Sequence, residues 1–120
     1  MNQKSLMMEI AVKFLQSGGI EAGCRNAAAE TLFRHLYRGG LFSGDYHPYI
    51  GDIRKKPVGN LDLNEACIYL TALAKHDRIC EGLFDASIQN GLIAGLLERW
   101  LELTHESEPA KSQDEKESAT

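Results

Sequence analysis

Hydrophobic residues recur every three to four positions over most of this chain, which is the period of an α-helix. The first such stretch covers residues 5–16 and ends at Ser17-Gly18-Gly19, because glycine adopts the left-handed conformation that ends helices. A second stretch covers residues 25–38 and is followed by Gly39-Gly40. The spacing predicts two helices, whose inner positions are Met7, Ile10, Ala11 and Phe14 in the first, and Ala28, Leu32, Phe33, Leu36 and Tyr37 in the second.

Three further helices are predicted in the second half of the chain. Asp62 and Glu65 have the spacing of a capping box, and the apolar period then runs to about residue 75. The fourth helix is predicted over residues 78–90, with Ile79, Leu83 and Ala86 on one stripe, and the fifth over residues 92–104. The fold class predicted from these patterns is all-α, a small bundle of about five short helices with one long loop.

The long loop covers residues 39–60 and has no helical period. It contains five glycines and two prolines, and loops of this length in compact domains are often functional. A short β-hairpin around Ser43-Gly44-Asp45 is one alternative for part of it. The loop is therefore the first region in which we look for a site.

Composition and charge define the domain and exclude several function classes. The length of 120 residues suits one helical domain, over residues 1–104, and the remaining segment, 105–120, has five acidic residues against two lysines and no large aliphatic residue. We expect that segment to be a disordered acidic tail. No apolar run approaches the roughly 18 residues that span a bilayer, and the three cysteines lack metal-ligand spacing. We expect a cytoplasmic protein without a metal, a cofactor or a membrane partner.

The stretch HDRICEG, residues 76–82, permits two interpretations. In one, Lys75 and His76 end the third helix, Asp77 is the N-cap of the fourth, and Cys80 is a small buried hydrophobe. In the other, Cys80 lies in the first turn of a helix beside Arg78, where a thiol often becomes reactive, and acts as the nucleophile of a thiol-dependent enzyme. Candidate bases are His35, His47 and His76.

The segment LTALAKHDRICEGLFDASIQNGLIAGLLERW resembles a widespread group of small bacterial proteins classed as a domain of unknown function. Members of that group carry a DRFCEG-like signature, which is DRICEG here, over residues 77–82. A weaker similarity lies in HLYRGGLFSGDYHPYI, although this chain has Tyr46-His47 where a tryptophan is expected. The resemblance implies no activity, and it supports the signature residues Asp77, Arg78, Cys80, Glu81 and Gly82 without assigning them a role.

The loop offers two other candidate sites. Asp45 and His47, with Asp52, suggest metal or acid–base chemistry, but their neighbours Gly44 and Pro48 favour ordinary turn chemistry. The basic triplet Arg54-Lys55-Lys56, with tyrosines nearby, is typical of weak single-stranded nucleic-acid binding. The net charge of −4 argues against nucleic acid as a partner.

The leading functional hypothesis is a non-enzymatic protein–protein interaction or regulatory module of the bacterial cytoplasm, with a protein partner that the sequence does not identify. A catalytic role is less favoured, and the alternatives are a thiol-dependent enzyme using Cys80 and weak nucleic-acid binding through residues 54–56. The apolar stripe of the fifth helix, with Trp100, leaves a homodimer open. The predicted binding residues are Asp45, Tyr46, His47, Tyr49, Asp77, Arg78 and Glu81.

Overall fold

The computed structural model describes residues 3–107, and over this range the chain is an all-α bundle with one small hairpin. Six α-helices, one 3-10 helix and two strands lie within the described residues. In chain order they are α1 (Gln3–Ser17), β1 (Ile20–Glu21), β2 (Cys24–Arg25), α2 (Ala27–Tyr37), α3 (His47–Ile53), the 3-10 helix (Val58–Asn60), α4 (Leu63–His76), α5 (Leu83–Gln89) and α6 (Leu92–Ser107). The predicted fold class is confirmed, with one helix more than expected.

Helix α4 is the centre of the bundle. It packs against α2, α3, α5 and α6, and its residues from Leu70 to Ala74 are all buried. The predicted capping box is present, since the Asp62 carboxylate accepts from the Glu65 amide at 2.7 Å and the Glu65 carboxylate accepts from the Asp62 amide at 3.0 Å. Because α4 contacts four other helices, it fixes their positions around it.

Helix α1 completes the core from one side. The predicted inner positions Met7, Ile10, Ala11 and Phe14 are all buried, and the helix packs against α2 and α6. Helix α2 begins later than predicted, because the Asn26 side chain accepts from the Ala29 amide at 2.9 Å and caps the helix there.

The hairpin lies between α1 and α2, and not around Ser43-Gly44-Asp45. Ile20 pairs with Arg25 and Glu21 with Cys24, so that Ala22 and Gly23 form the two-residue turn. Both turn residues have positive φ, 54° and 81°, as a type I′ turn requires. Arg25 joins the hairpin to the bundle: its guanidinium lies 4.4 Å from the centre of the Phe33 ring and 3.0 Å from the Asp85 carboxylate.

The predicted loop contains helix α3, which the sequence pattern did not reveal. The helix has seven residues and carries Pro48 in its first turn, where the missing amide proton of proline costs no hydrogen bond. Its ends are held by two buried side chains, Tyr46 and Ile53. A helix this short gives too few turns for a recognisable apolar period.

The predicted fourth helix is wrong at its start. Helix α5 begins at Leu83, and the residues before it form turns that end with Gly82 in the left-handed conformation, at φ 88°. Asp77 is the C-cap of α4 and not the N-cap of α5. Its carboxylate nevertheless accepts from the Phe84 amide at 3.0 Å, and so gives one backbone N–H in the first turn of α5 a hydrogen-bond partner. Consequently Ile79 is 76% exposed and Ala86 is also exposed.

The last helix extends to Ser107, three residues beyond its predicted end. The rest of the predicted tail, residues 108–120, lies outside the described residues, and its disorder stays a prediction. Within residues 3–107, no helix is long and apolar enough to cross a membrane.

Candidate functional site

Two segments that are distant in sequence meet in the structure. The start of α3 lies against the end of α4, where the Tyr46 hydroxyl is 3.3 Å from Nδ1 of His76 and the two rings are nearly perpendicular. Tyr46 is buried, and its contact with His76 joins the predicted loop to the stretch HDRICEG. The two regions that the sequence singled out are therefore neighbours.

An open groove of about 420 Å³ lies at this junction, between α3, α4, α5 with the turn before it, and the start of α6. We call it the apolar groove. Its volume is in the range of about 300–1,000 Å³ that is common for ligand sites. Its lining combines apolar residues, Ile50, Tyr69, Ala72, Leu73, Leu83 and Leu92, with polar ones, Tyr46, His47, Arg54, His76, Cys80, Ser87 and Asn90.

A second cavity, of about 460 Å³, adjoins the apolar groove. We call it the cationic pocket, because Lys75 and Arg78 line it, together with Tyr37, Gly44, Asp45, Tyr46 and His47. Tyr46 and His47 line both cavities, and their rings are stacked with centres 4.2 Å apart. This stacked pair is therefore shared by the two cavities.

Asp45 fixes the position of His47. Its carboxylate accepts from the His47 amide at 3.1 Å and from His47 Nδ1 at 2.7 Å. These hydrogen bonds from His47 lower the pKa of Asp45, so the carboxylate stays ionised. The bond between the Asp45 carboxylate and the His47 amide fits the turn chemistry predicted at Asp45, whereas His47-Pro48 begins helix α3 and does not form a turn.

The structure brings together five of the eight residues proposed from the sequence. Asp45, Tyr46, His47 and Arg78 line the cationic pocket, and Cys80 lines the apolar groove beside Tyr46 and His47. The other three lie elsewhere: the Asp77 carboxylate accepts from the Phe84 amide, while the exposed residues Tyr49 and Glu81 line neither of these two cavities.

Cys80 is exposed, and it lies in the turn before α5 and not in the first turn of a helix. The expectation that it is a small buried hydrophobe is therefore wrong, and the helix-terminus argument for a reactive thiol no longer applies. The groove nevertheless places Cys80 in one cavity with His47 and His76. By contrast, burial raises the pKa of the Cys67 thiol to about 11, which makes Cys67 a poor nucleophile.

The three residues of the basic triplet are all exposed but have different contacts. Arg54 lines the apolar groove, whereas Lys56 forms an ion pair with Glu65, whose hydrogen bond raises the pKa of Lys56. Lys55 is exposed and lines neither cavity. The three charges therefore meet different surroundings.

Several lining residues were not predicted as part of a site. Lys75 fits the rule that basic residues end helices, and Tyr69, Ser87 and Leu92 fit ordinary helix positions. Only their position around the groove distinguishes them. Among the described residues, no group of three or more histidine, cysteine, aspartate or glutamate side chains is placed to hold a metal ion.

Comparison with known proteins assigns the chain to a family but gives it no activity. No curated protein and no solved structure is significantly similar to it. A family model described as a family of unknown function, DUF6508, matches residues 23–106, a range that contains every residue lining the two cavities. The chain belongs to this family of unknown function.

Proposed function

We propose that the protein is a non-enzymatic interaction module that binds a segment of a partner protein in the apolar groove. One observation carries the proposal: the loop and the HDRICEG stretch, both selected from the sequence, converge on one open cavity lined by apolar and polar side chains. Such a cavity suits a large apolar side chain of a partner, since interface energy concentrates where an anchor side chain is desolvated in a pocket.

The turn next to the groove adds exposed apolar surface. Ile79 is 76% exposed, and its neighbour Cys80 lines the groove. The contact of an exposed isoleucine side chain with water is unfavourable. A partner that covers the side chain removes apolar area from water, which contributes favourable free energy to binding. The position of Ile79 thus favours a binding role for this face.

The test uses capture of partners from a lysate of the host, with and without nuclease. A bulky maleimide is attached to Cys80 in a Cys24→Ser background to fill the groove, and the matched control is the same Cys24→Ser variant without the label. We expect one protein at near-stoichiometric amount, lost when Cys80 is labelled and retained by the unlabelled control. A captured protein that ignores the Cys80 label, or an empty capture by the unlabelled protein, contradicts the proposal.

A variant pair gives a second test without chemical modification. Ile79→Ser removes apolar surface beside the groove, and Val12→Ser removes a comparable exposed side chain, 41% exposed, from α1. Both positions are exposed, so both variants should fold. Retention by Val12→Ser and loss by Ile79→Ser supports the proposal, and equal retention contradicts it.

A thiol-dependent enzyme is the second candidate, favoured by the sharing of one groove by Cys80, His47 and His76. The alkylation rate of Cys80 decides it, with Cys24 as an internal reference because both thiols are exposed. Labelling of Cys80 that is much faster than that of Cys24 near neutral pH, and slowed by His76→Gln, supports an activated thiol. Equal rates at the two cysteines remove this candidate. Capture that vanishes with nuclease would instead support the 54–56 basic triplet.

A further inference from the structure

We infer that the partner segment carries a carboxylate close to its apolar anchor, with the anchor in the apolar groove and the carboxylate in the cationic pocket. The inference rests on the proposed function and deepens it by naming the kind of segment that is recognised. The supporting features are the adjacency of the two cavities and the difference in their charge.

The adjacency sets the distance between the two recognised groups. Among residues 3–107, only Tyr46 and His47, whose rings are stacked, line both cavities. Alternate side chains of an extended segment lie about 7 Å apart on one face, so one segment crossing this pair of rings can place a side chain in each cavity. The anchor and the carboxylate are then expected within one to three positions of each other.

The charges in the cationic pocket favour an anion. Lys75 and Arg78 contribute two positive charges against the single carboxylate of Asp45, which is already engaged by His47. Within the described residues, neither Lys75 nor Arg78 lies within 4.0 Å of a carboxylate oxygen, unlike Arg25, Lys56 and Arg99. A local positive charge on a chain of net charge −4 provides charge complementarity to an acidic segment.

The apolar groove has one cationic side chain in its lining, Arg54. Arg54 lines it and makes no ion pair within the same distance among the described residues. The two cavities therefore present three cations and one carboxylate. A segment with a basic residue beside its anchor would be repelled by Arg54, Lys75 and Arg78. The two cavities therefore attract acidic segments and also disfavour basic ones.

The experiment selects a random displayed peptide library on the full-length protein and measures the affinity of synthetic copies of the enriched peptides. We expect Asp or Glu within one to three positions of a large apolar residue. Arg78→Glu should weaken these peptides about tenfold, since a charge reversal replaces an attraction by a repulsion. The matched control Arg38→Glu, at an exposed arginine away from both cavities, should leave the affinity unchanged.

A charge swap separates recognition from general damage. Peptides in which lysine replaces the acidic residue should bind Arg78→Glu more tightly than they bind the wild type. The maleimide label on Cys80 in the Cys24→Ser variant should abolish binding of every enriched peptide, while the same variant without the label should bind them.

The outcomes distinguish the two proposals. Peptides that need an open groove but lack an acidic residue, or that ignore Arg78→Glu, overturn the inference and leave the proposed function standing. Enriched peptides that ignore the Cys80 label, or a selection with no enrichment, overturn both.

Discussion

Gly40 shows how a single missing methyl group shapes the structure. Its backbone lies against His35, and a Cβ at position 40 would be only 2.4 Å from Cε1 and 2.5 Å from Nε2 of the imidazole. A larger residue at this position would require the His35 side chain to shift. Gly51 presents the opposite case, because it lies within α3 and a Cβ there would meet nothing within 4 Å.

Alanine substitutions at Gly40 and Gly51 should change the stability of the protein in opposite directions. Gly40→Ala should lower the free energy of unfolding by about 1–3 kcal/mol through overpacking, whereas Gly51→Ala should raise it by about 0.5–1 kcal/mol through better helix propensity. Urea denaturation of the two variants and the wild type measures both changes. Equal effects of the two alanines would show that His35 does not constrain position 40.

His35 also makes stability depend on pH. Burial lowers the pKa of this imidazole, because the interior disfavours its charged form. The unfolded chain therefore takes up the proton first, and stability is expected to fall as the pH drops below about 6.5 and through the folded pKa. Denaturation between pH 7.5 and 5 should show a smaller loss in His35→Gln than in the wild type. Identical pH profiles would contradict the assignment.

At the scale of elements, the sequence predicts well wherever a helix is long and turns one face to the core. The inner positions of α1 and the capping box of α4 are as predicted, because apolar period and capping chemistry are local properties. Helix α3 and the start of α5 were missed because contacts from outside them decide their bounds. The Tyr46–His76 contact holds the start of α3, and the Asp77 carboxylate accepts from the Phe84 amide in the first turn of α5.

Helix α1 precedes the residues that the family model matches, which begin at residue 23, yet it supplies four buried residues to the core. Phe14→Ala should therefore destabilise the protein by about 3–5 kcal/mol, the usual cost of removing a buried aromatic ring. Val12→Ala, on the exposed side of the same helix, should change stability by less than about 0.5 kcal/mol. Thermal unfolding of the two variants tests this, and similar midpoints would mean that α1 is dispensable.

At the scale of the whole molecule, the meeting of the two candidate regions could not be predicted from the sequence. Tyr46 and His76 are 30 positions apart, and no periodicity reports on a contact across that separation. The hairpin is a similar case, since its strands have two residues each and Arg25 ties them to Phe33 and Asp85. The sequence indicates which residues carry chemistry, and the arrangement of α3 on α4 determines which of them share a cavity.

One wall of the apolar groove is the seven-residue helix α3, and the facing wall is the central helix α4. Seven residues are too few for a helix to persist without tertiary support. The backbone hydrogen bonds of α3 should therefore open by local unfolding far more often than those of α4. The amides of Ile50 and Arg54, bonded to Tyr46 and Ile50, should exchange with deuterium long before those in the middle of α4. Any occupant of the groove must slow exchange in α3 in proportion to its occupancy. Mass-spectrometric exchange thus provides a search for binding partners whose identity need not be guessed beforehand, with α3 as the built-in reporter and α4 as the internal reference.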